Sequence, residues 1–402
     1  MVFLPKRNLS SIFFILMALC PMIAVSSPKI MTLMPAILGV LFMGAFYYWQ
    51  QLKIQFSKTA ILFGCIVIGL SWFSVLFSSH FSTSLEKSII LSLFIPPHIL
   101  LICLTLSLPR EDILKYGHYL GFAVIIALVV TIFEILTDGI LFNLVRGRPF
   151  STYVAIFEYN RPLTMLTLLS ISAYILVGSK INTKLRAYFI GIPLLTALAL
   201  SVCQAAQLMV LVGLFFLFVF PYKSKWAWLT LRIIILSLMM VAPFASIYIY
   251  NHYSHAIQDL PMMANAYAGH RLEIWDYVGR YTLQHPLFGQ GIEVTRAITD
   301  FDSKRIFVND NTTNHPHNFA IQIWLEFGLF GMIIAMSIMA YLLTLIQKQY
   351  SVVQQKILLP TMMMTLVASS VSYGMWQGIW MGTIFFVAMM CLMACKSIET
   401  PK

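Results

Sequence analysis

The sequence contains a long series of apolar runs, each about as long as a membrane-spanning helix, separated by short polar intervals. A helix needs about 20 apolar residues to cross the hydrocarbon core of a bilayer, and its backbone must satisfy its own hydrogen bonds there. Only 10% of the residues are charged, whereas soluble proteins average about 25%. These features predict an all-α polytopic membrane protein with about twelve transmembrane helices. The runs cover approximately residues 11–25, 31–48, 59–77, 88–107, 117–137, 162–178, 187–203, 205–221, 233–250, 318–346, 358–376 and 379–395.

Two longer polar intervals interrupt this series. The first, at 138–161, is predicted to be an outer loop within the first nine helices, which occupy 1–250. The second, at 251–316, is predicted to be a large loop between the ninth and tenth helices, and 317–402 holds the last three. The local patterns that suggest chemistry lie at the two ends of the large loop, so we expect this loop to carry the active site.

The distribution of lysine and arginine predicts the orientation of the chain. With the N-terminus in the cytoplasm, every short inner loop carries basic residues, as the positive-inside rule requires. Both termini are then cytoplasmic. The outer basic residues are concentrated in 138–161 and 251–316, which suggests an anionic ligand, although long loops also translocate regardless of charge. The net charge of +11 forms no continuous solvated basic domain, so membrane lipids are the predicted partner and nucleic acid is not.

The end of the large loop presents a candidate general base, His317. Pro316 suits the first turn of a helix, which would place His317 at the mouth of the helix that follows. A neutral imidazole there can take a proton from a hydroxyl group. The alternative is an interfacial histidine that only holds the loop by a hydrogen bond. One stripe of the predicted helix comprises His317, Ile321, Trp324, Gly328 and Gly331. Its two glycines are predicted to let a neighbouring helix approach closely.

The front of the large loop presents a candidate phosphate ligand, Arg271. A predicted amphipathic helix at the membrane interface has Trp275 on its buried side, and Arg271 lies one turn before it. Arg280 points to the opposite face. A buried guanidinium suits phosphate oxygens, although a salt bridge to Asp276 or Glu273 is the alternative. The apolar positions of this helix are Leu272, Trp275, Val278 and Thr282.

Three further arginines, Arg146, Arg148 and Arg161, are predicted to lie in or beside the outer loop at 138–161. Arg161 directly precedes Pro162 and would lie at a helix N-terminus, where the helix dipole and the guanidinium both favour an anion. Snorkelling of these arginines to lipid headgroups is the alternative interpretation.

Motifs typical of metal-binding or nucleotide-binding sites are missing from the sequence. The cysteines lie in or beside apolar runs and are interpreted as packing residues. Asp300 and Asp302 form a DxD pair that is predicted to be solvated. With no HExxH and no P-loop, neither a metal nor a cofactor is predicted. Glu134 and Glu326 are the only acidic residues placed well inside or at the rim of the predicted spans. A proton-coupled transporter normally has more.

Three segments resemble motifs of the bacterial O-antigen ligase family. His317-Asn318, followed after nine residues by Gly328-Leu329-Phe330-Gly331, fits its H[NSQ]x9GxxG pattern. The segment 269–275 is similar to the G-R-x-x-x-W pattern of the same superfamily, with Arg271 as its arginine. The segment 285–291 resembles its H-P-L-x-G-x-G pattern.

The resemblance implies a metal-independent, inverting glycosyltransferase of the Gram-negative bacterial inner membrane with a periplasmic active site. It implies a glycan donor on undecaprenyl pyrophosphate and a lipid A-core acceptor. His317 would activate the acceptor hydroxyl and Arg271 would bind the pyrophosphate, with Asn318, Arg148 and His315 in supporting places. Polysaccharide polymerases and protein O-oligosaccharyltransferases of the same superfamily remain alternatives. A transporter of polyisoprenoid-linked glycan is the alternative from a different class.

The chain departs from the family pattern at the junction of the seventh and eighth predicted spans. The family often has a cation after a short Ser-x-Ser run, and here Gln204 stands in that place. An amide can donate hydrogen bonds to phosphate but cannot neutralise its charge. We therefore expect Arg161 to supply the missing cation.

Overall fold

The structure, a computed structural model, describes residues 6–260, 268–298 and 315–399. Asp300 and Asp302 lie outside these ranges. Helices make up the regular structure of the described chain. They are α1 (Lys6–Ala24), α2 (Met34–Gln50), α3 (Lys58–Val75), α4 (Phe81–Ser107), α5 (Arg110–Tyr116), α6 (His118–Leu136), α7 (Ile140–Val145), α8 (Asn160–Val177), α9 (Thr183–Leu200), α10 (Gln204–Leu214), α11 (Lys225–Gln258), α12 (Ala268–Thr282), α13 (Phe319–Gln349), α14 (Val352–Val371) and α15 (Gly378–Ser397), with short 3-10 turns between some of them.

The helices confirm the all-α membrane class. Within the described residues, eight helical segments are long and apolar enough to cross a bilayer, and two shorter apolar helices cover Leu9–Ala24 and Gln204–Val219. Every predicted apolar run overlaps a helix, but the count of twelve spans and the side of the membrane stay predictions. α11 continues to Gln258, beyond the predicted end of its span, and α12 forms within the large loop.

The spans differ in how deeply they lie in the bundle. The segments Ile156–Val177 and Gly378–Ser397 are each 67% buried inside the protein, whereas Lys58–Val75, Thr183–Leu200 and Lys225–Ile257 are each 22% buried. The first two therefore form the centre of the bundle. The other three leave apolar side chains outside the protein, as lipid-facing helices do.

Helix α13 is broken at Gly328, and a loop segment, residues 286–291, fills the break. Gly328 has φ +61° and ψ −158°, a conformation that glycine adopts readily and other residues do not. A side chain at Gly328 would lie 2.5 Å from the Leu287 carbonyl carbon. Four hydrogen bonds join the segment to α13: Gln290 N–H to Leu325 O (2.8 Å), Gly291 N–H to Glu326 O (3.1 Å), Leu329 N–H to Pro286 O (2.8 Å) and Phe330 N–H to Leu287 O (3.1 Å).

The expectation that Gly328 admits a neighbouring helix was therefore wrong. The sequence pattern indicates a close approach but not what approaches, and the partner is the backbone of the segment 286–291. The same segment is held on its other side by the α3–α4 corner. Ser79 N–H donates to Gln290 O (3.0 Å), and the Ser84 hydroxyl donates to Ile292 O (2.8 Å). The upper part of α13 is thus tied to α3 and α4 through this loop.

Candidate active site

His317 lies in the turn that leads into α13. The helix begins at Phe319, because the Asn318 side chain caps it by accepting from the N–H groups of Ala320 (3.0 Å) and Ile321 (3.3 Å). His317 itself has φ +53°, which is uncommon for a residue other than glycine. The expectation that Pro316 occupies the first turn of the helix was wrong. Asn318 is the cap, so the helix begins only at Phe319, and both Pro316 and His317 precede it.

The imidazole of His317 has a defined tautomer. Its Nδ1 lies 3.1 Å from the Ser372 carbonyl oxygen, and a carbonyl oxygen can only accept, so Nδ1 carries the proton. The Nε2 atom is then the basic atom of the neutral ring. Burial lowers the pKa of His317 to about 4; the hydrogen bond to Ser372 acts against this shift, and the positive charge of Arg271 adds to it, as does His270 when it is protonated. The ring is therefore neutral at physiological pH.

His315 packs against this ring and is buried. The two imidazoles make an edge contact, with centroids 4.1 Å apart, and the Gln377 amide nitrogen lies 2.7 Å from His315 Nε2. Burial lowers the pKa of His315 to about 3, and a proton on His317 and the positive charges of Arg296 and Arg161 would each disfavour a proton on His315. His315 is thus a neutral group that supports one side of His317.

Arg271 lies in α12, whose buried face packs on α11 and α13. Burial lowers the pKa of Arg271, and Cys203 acts in the opposite direction. Trp275, one turn further along, donates its indole N–H to Pro316 O (2.7 Å). This bond fixes α12 to the turn that carries His317. The structure therefore places the guanidinium of Arg271 close enough to influence the charge of His317.

The acidic residues considered as partners of Arg271 have partners of their own. Asp276 accepts from Arg280 Nε at 2.9 Å, and Arg280 also donates to Asn251 Oδ1 at 2.8 Å. Glu273 is buried and accepts from the Tyr250 hydroxyl at 3.0 Å. Arg280 is the exposed arginine of α12, whereas Arg271 is partly buried.

The other residues predicted to bind the glycan donor lie around His315, His317 and Arg271. Arg161 is exposed at the start of α8, and its charge acts on His315 and Tyr373. Gln204 is the first residue of α10 and follows Cys203, whose pKa is raised by burial and lowered in part by the charge of Arg271. The helix ends of α8, α10 and α12 thus bring Arg161, Gln204 and Arg271 toward one region.

The arginines of the loop at 138–161 have a different setting. Arg146 lies over the Phe142 ring at 3.8 Å, and the Arg148 N–H donates to Asn143 O (2.9 Å). Both side chains are exposed. A supporting role for Arg148 stays a prediction.

The segment 372–377, between α14 and α15, was not singled out by the sequence pattern. It supplies the Ser372 carbonyl to His317 and the Gln377 amide to His315. A side chain at Gly374 would meet His315 Cγ at 2.7 Å, so this glycine permits the close approach of the histidine. The sequence analysis predicted residues 372–376 to be the end of the span at 358–376, and the Gly- and polar-rich composition of this stretch is the signal that could have indicated a break.

An apolar cavity of 380 Å³ lies beside this group, between α10, α11, α13 and α14. Its lining includes Asn318, which directly follows His317, and Trp275, which lies one helical turn after Arg271. The rest of the wall is almost wholly aliphatic, for example Leu208, Ile235 and Leu366. Such a wall suits a hydrocarbon chain better than a sugar.

Residues 189–336 match a family model described as O-antigen ligase. The resemblance to that family is confirmed. A protein of Rickettsia conorii (strain ATCC VR-613 / Malish 7) named "Putative polysaccharide ligase" is 28% identical over 32% of this chain and 32% of its own. A protein of Rickettsia felis (strain ATCC VR-1525 / URRWXCal2) with the same name is 26% identical over 32% of this chain and 33% of its own. The matched region thus spans about a third of each curated relative.

The segment that matches the family model, residues 189–336, contains Gln204, Arg271, His317 and the break at Gly328. Arg161 and Ser372 lie outside it. The site is therefore built partly from the matched segment and partly from helices before and after it.

Proposed function

We propose that this protein is a glycosyltransferase of the Gram-negative inner membrane. It moves a glycan from undecaprenyl pyrophosphate to a hydroxyl of lipid A-core on the periplasmic side. The observation that carries this proposal is the neutral imidazole of His317, which donates Nδ1–H to Ser372, keeps Nε2 as its basic atom and lies close enough to Arg271 for that charge to lower its pKa. The match to O-antigen ligases and the names of the two relatives support a ligase.

In the proposed reaction, the acceptor oxygen forms a bond to the anomeric carbon as the bond from that carbon to the pyrophosphate oxygen breaks, with inversion. His317 Nε2 takes the hydroxyl proton and later releases it to water. Arg271 offsets the charge that develops on the leaving pyrophosphate, and Arg161 and Gln204 add donors to it. The scheme uses neither a metal nor a cofactor.

The apolar cavity supports a lipid-linked donor. A polyprenyl chain bound along α10, α11, α13 and α14 would leave its pyrophosphate near Trp275 and Asn318, which line the cavity. A soluble sugar nucleotide would gain nothing from such a wall, whereas each buried methylene of a lipid contributes about 0.8 kcal/mol.

The lipopolysaccharide of a deletion strain tests the proposal. We expect loss of all long glycan chains from lipid A-core and accumulation of lipid-linked polymer. A single repeat unit still attached to core would instead indicate a polymerase. Normal lipopolysaccharide with altered glycoproteins would indicate a protein acceptor. If the purified protein, supplied with lipid-linked donor and core acceptor, forms no glycosidic bond, a transporter is favoured.

The pH dependence of kcat/KM should reflect the low pKa of His317. Because burial lowers this pKa from 6.5 to about 4, Nε2 stays unprotonated well below pH 6.5. Between pH 7 and about 5 we expect kcat/KM to be flat, and it should fall only as the ring is protonated near pH 4. Purified enzyme in detergent, assayed with a saturating acceptor, would show this. An acid limb near pH 6.5 that His317 controls would contradict it.

A further inference from the structure

Glu326 lies in α13, nine residues after His317, and its carboxylate is completely buried. It accepts hydrogen bonds from the Gln322 side-chain amide (2.9 Å) and from the Glu293 backbone N–H (3.1 Å). It also accepts from the indole N–H of Trp376. A buried carboxyl group is unfavourable unless its hydrogen bonds are satisfied in this way, and a fully satisfied polar network specifies one arrangement of its members.

The same network holds the segment 372–377 against α13. The Gln322 amide oxygen accepts from the Met375 backbone N–H (2.9 Å), while Glu326 holds the Trp376 indole. Lys87 Nζ, from α4, donates to the Trp376 carbonyl (2.7 Å). Three directional bonds therefore fix two consecutive residues of this segment.

The segment 372–377 in turn contacts both histidines. Ser372, three residues before Met375, accepts from His317 Nδ1, and Gln377 directly follows Trp376 and contacts His315. A shift of the segment away from α13 would withdraw the Ser372 carbonyl. His317 would then lose the acceptor that decides which of its nitrogens carries the proton.

We propose that Gln322 and Trp376 are positioning residues. Acting through the segment 372–377, they hold the Ser372 carbonyl against His317 and keep the imidazole in its Nδ1–H form with Nε2 as the basic atom. The catalytic consequence rests on the proposed function, in which Nε2 removes the acceptor proton. The tautomer itself does not depend on any activity.

The test is the Trp376→Phe variant of the full-length protein. Phenylalanine keeps an aromatic ring near Phe327, which the indole contacts edge-on, and it removes the N–H donor together with one ring of the indole. Trp228→Phe is the matched control, since Trp228 is also buried, loses the same ring volume and donates its indole N–H to Tyr222 O (2.9 Å), which is not part of the Glu326 network. Gln322→Met removes both amide bonds at similar length and serves as a second variant.

Two readouts are needed at pH 7. The first is the ¹⁵N NMR spectrum of imidazole-labelled protein in lipid nanodiscs, with His317→Ala identifying the His317 signals. We expect the Nδ1–H form in the wild type and in Trp228→Phe, and a mixture of tautomers in Trp376→Phe and Gln322→Met. The second is transfer kinetics, in which kcat should fall by about 10- to 100-fold in both variants while KM for the donor changes little.

An unchanged His317 tautomer in a folded Trp376→Phe or Gln322→Met protein would overturn the inference, whatever the activity. A wild type in the Nε2–H form would also overturn it. If the tautomer changes as expected but the wild type makes no glycosidic bond, the positioning role stands and the proposed function fails. If Trp228→Phe loses as much kcat as Trp376→Phe, the loss is a general effect of removing a buried indole donor and the inference fails.

Discussion

Replacing His317 with glutamine is expected to lower the rate constant for glycan transfer by about 10²- to 10⁴-fold, the range that a general base contributes. Glutamine retains an amide that can donate to the Ser372 carbonyl, so the turn before α13 keeps its hydrogen bond. It has no basic nitrogen, so the acceptor hydroxyl must lose its proton to water. Single-turnover transfer with purified protein measures this effect without interference from product release.

A matched control is His252→Gln in α11. His252 Nδ1 also lies within hydrogen-bond distance of a backbone carbonyl, that of Tyr248 (2.9 Å), but its side chain is exposed. This variant should transfer glycan at the wild-type rate. Near-normal transfer by a folded His317→Gln protein would eliminate the histidine as the base and leave it as a residue that only holds the loop.

Replacing Arg271 with alanine is expected to lower kcat/KM for the lipid-linked donor by about 10²- to 10³-fold, as removal of a preorganised donor to a developing anion does. The guanidinium is partly buried beside the His317 turn, where its charge is poorly screened. Arg271→Lys should recover only part of the loss, because an ammonium cannot bind phosphate oxygens in a bidentate way.

Arg280→Ala provides the comparison within the same helix. It removes a half-exposed ion pair with Asp276, and exposed pairs of this kind contribute about 1 kcal/mol or less to stability. We expect donor turnover to stay within about twofold of the wild type. Equal losses in the two variants, measured under identical detergent and lipid conditions, would rule out a specific phosphate ligand at Arg271.

The sequence predicted those parts of the site that depend on local periodicity. The spacing of apolar residues in 272–282 predicted that Arg271 and Arg280 point to opposite faces, and α12 has this arrangement. Apolar runs predicted every long helix because twenty such residues have few alternatives to a membrane span. These features need no knowledge of distant residues.

The contacts that define the base could not be predicted in this way. The bond from His317 to Ser372 joins residues 55 positions apart, and the one from Trp376 to Glu326 joins residues 50 apart. Backbone carbonyls and single buried polar side chains leave no periodic pattern. Gly328 shows the intermediate case, since its position in a motif indicated close approach while the identity of the neighbour depended on the folded chain.

The backbone groups on either side of the break in α13 keep hydrogen-bond partners. Leu325 O and Glu326 O would accept from Leu329 N–H and Phe330 N–H in an uninterrupted helix, and all four groups are instead bonded to the segment 286–291. If that segment withdraws, the four groups can pair with one another, so α13 is left with no unsatisfied backbone group at membrane depth. The segment 286–291 therefore replaces, group for group, the hydrogen bonds that the break removes from α13, and Gly328 is the residue whose backbone permits the break.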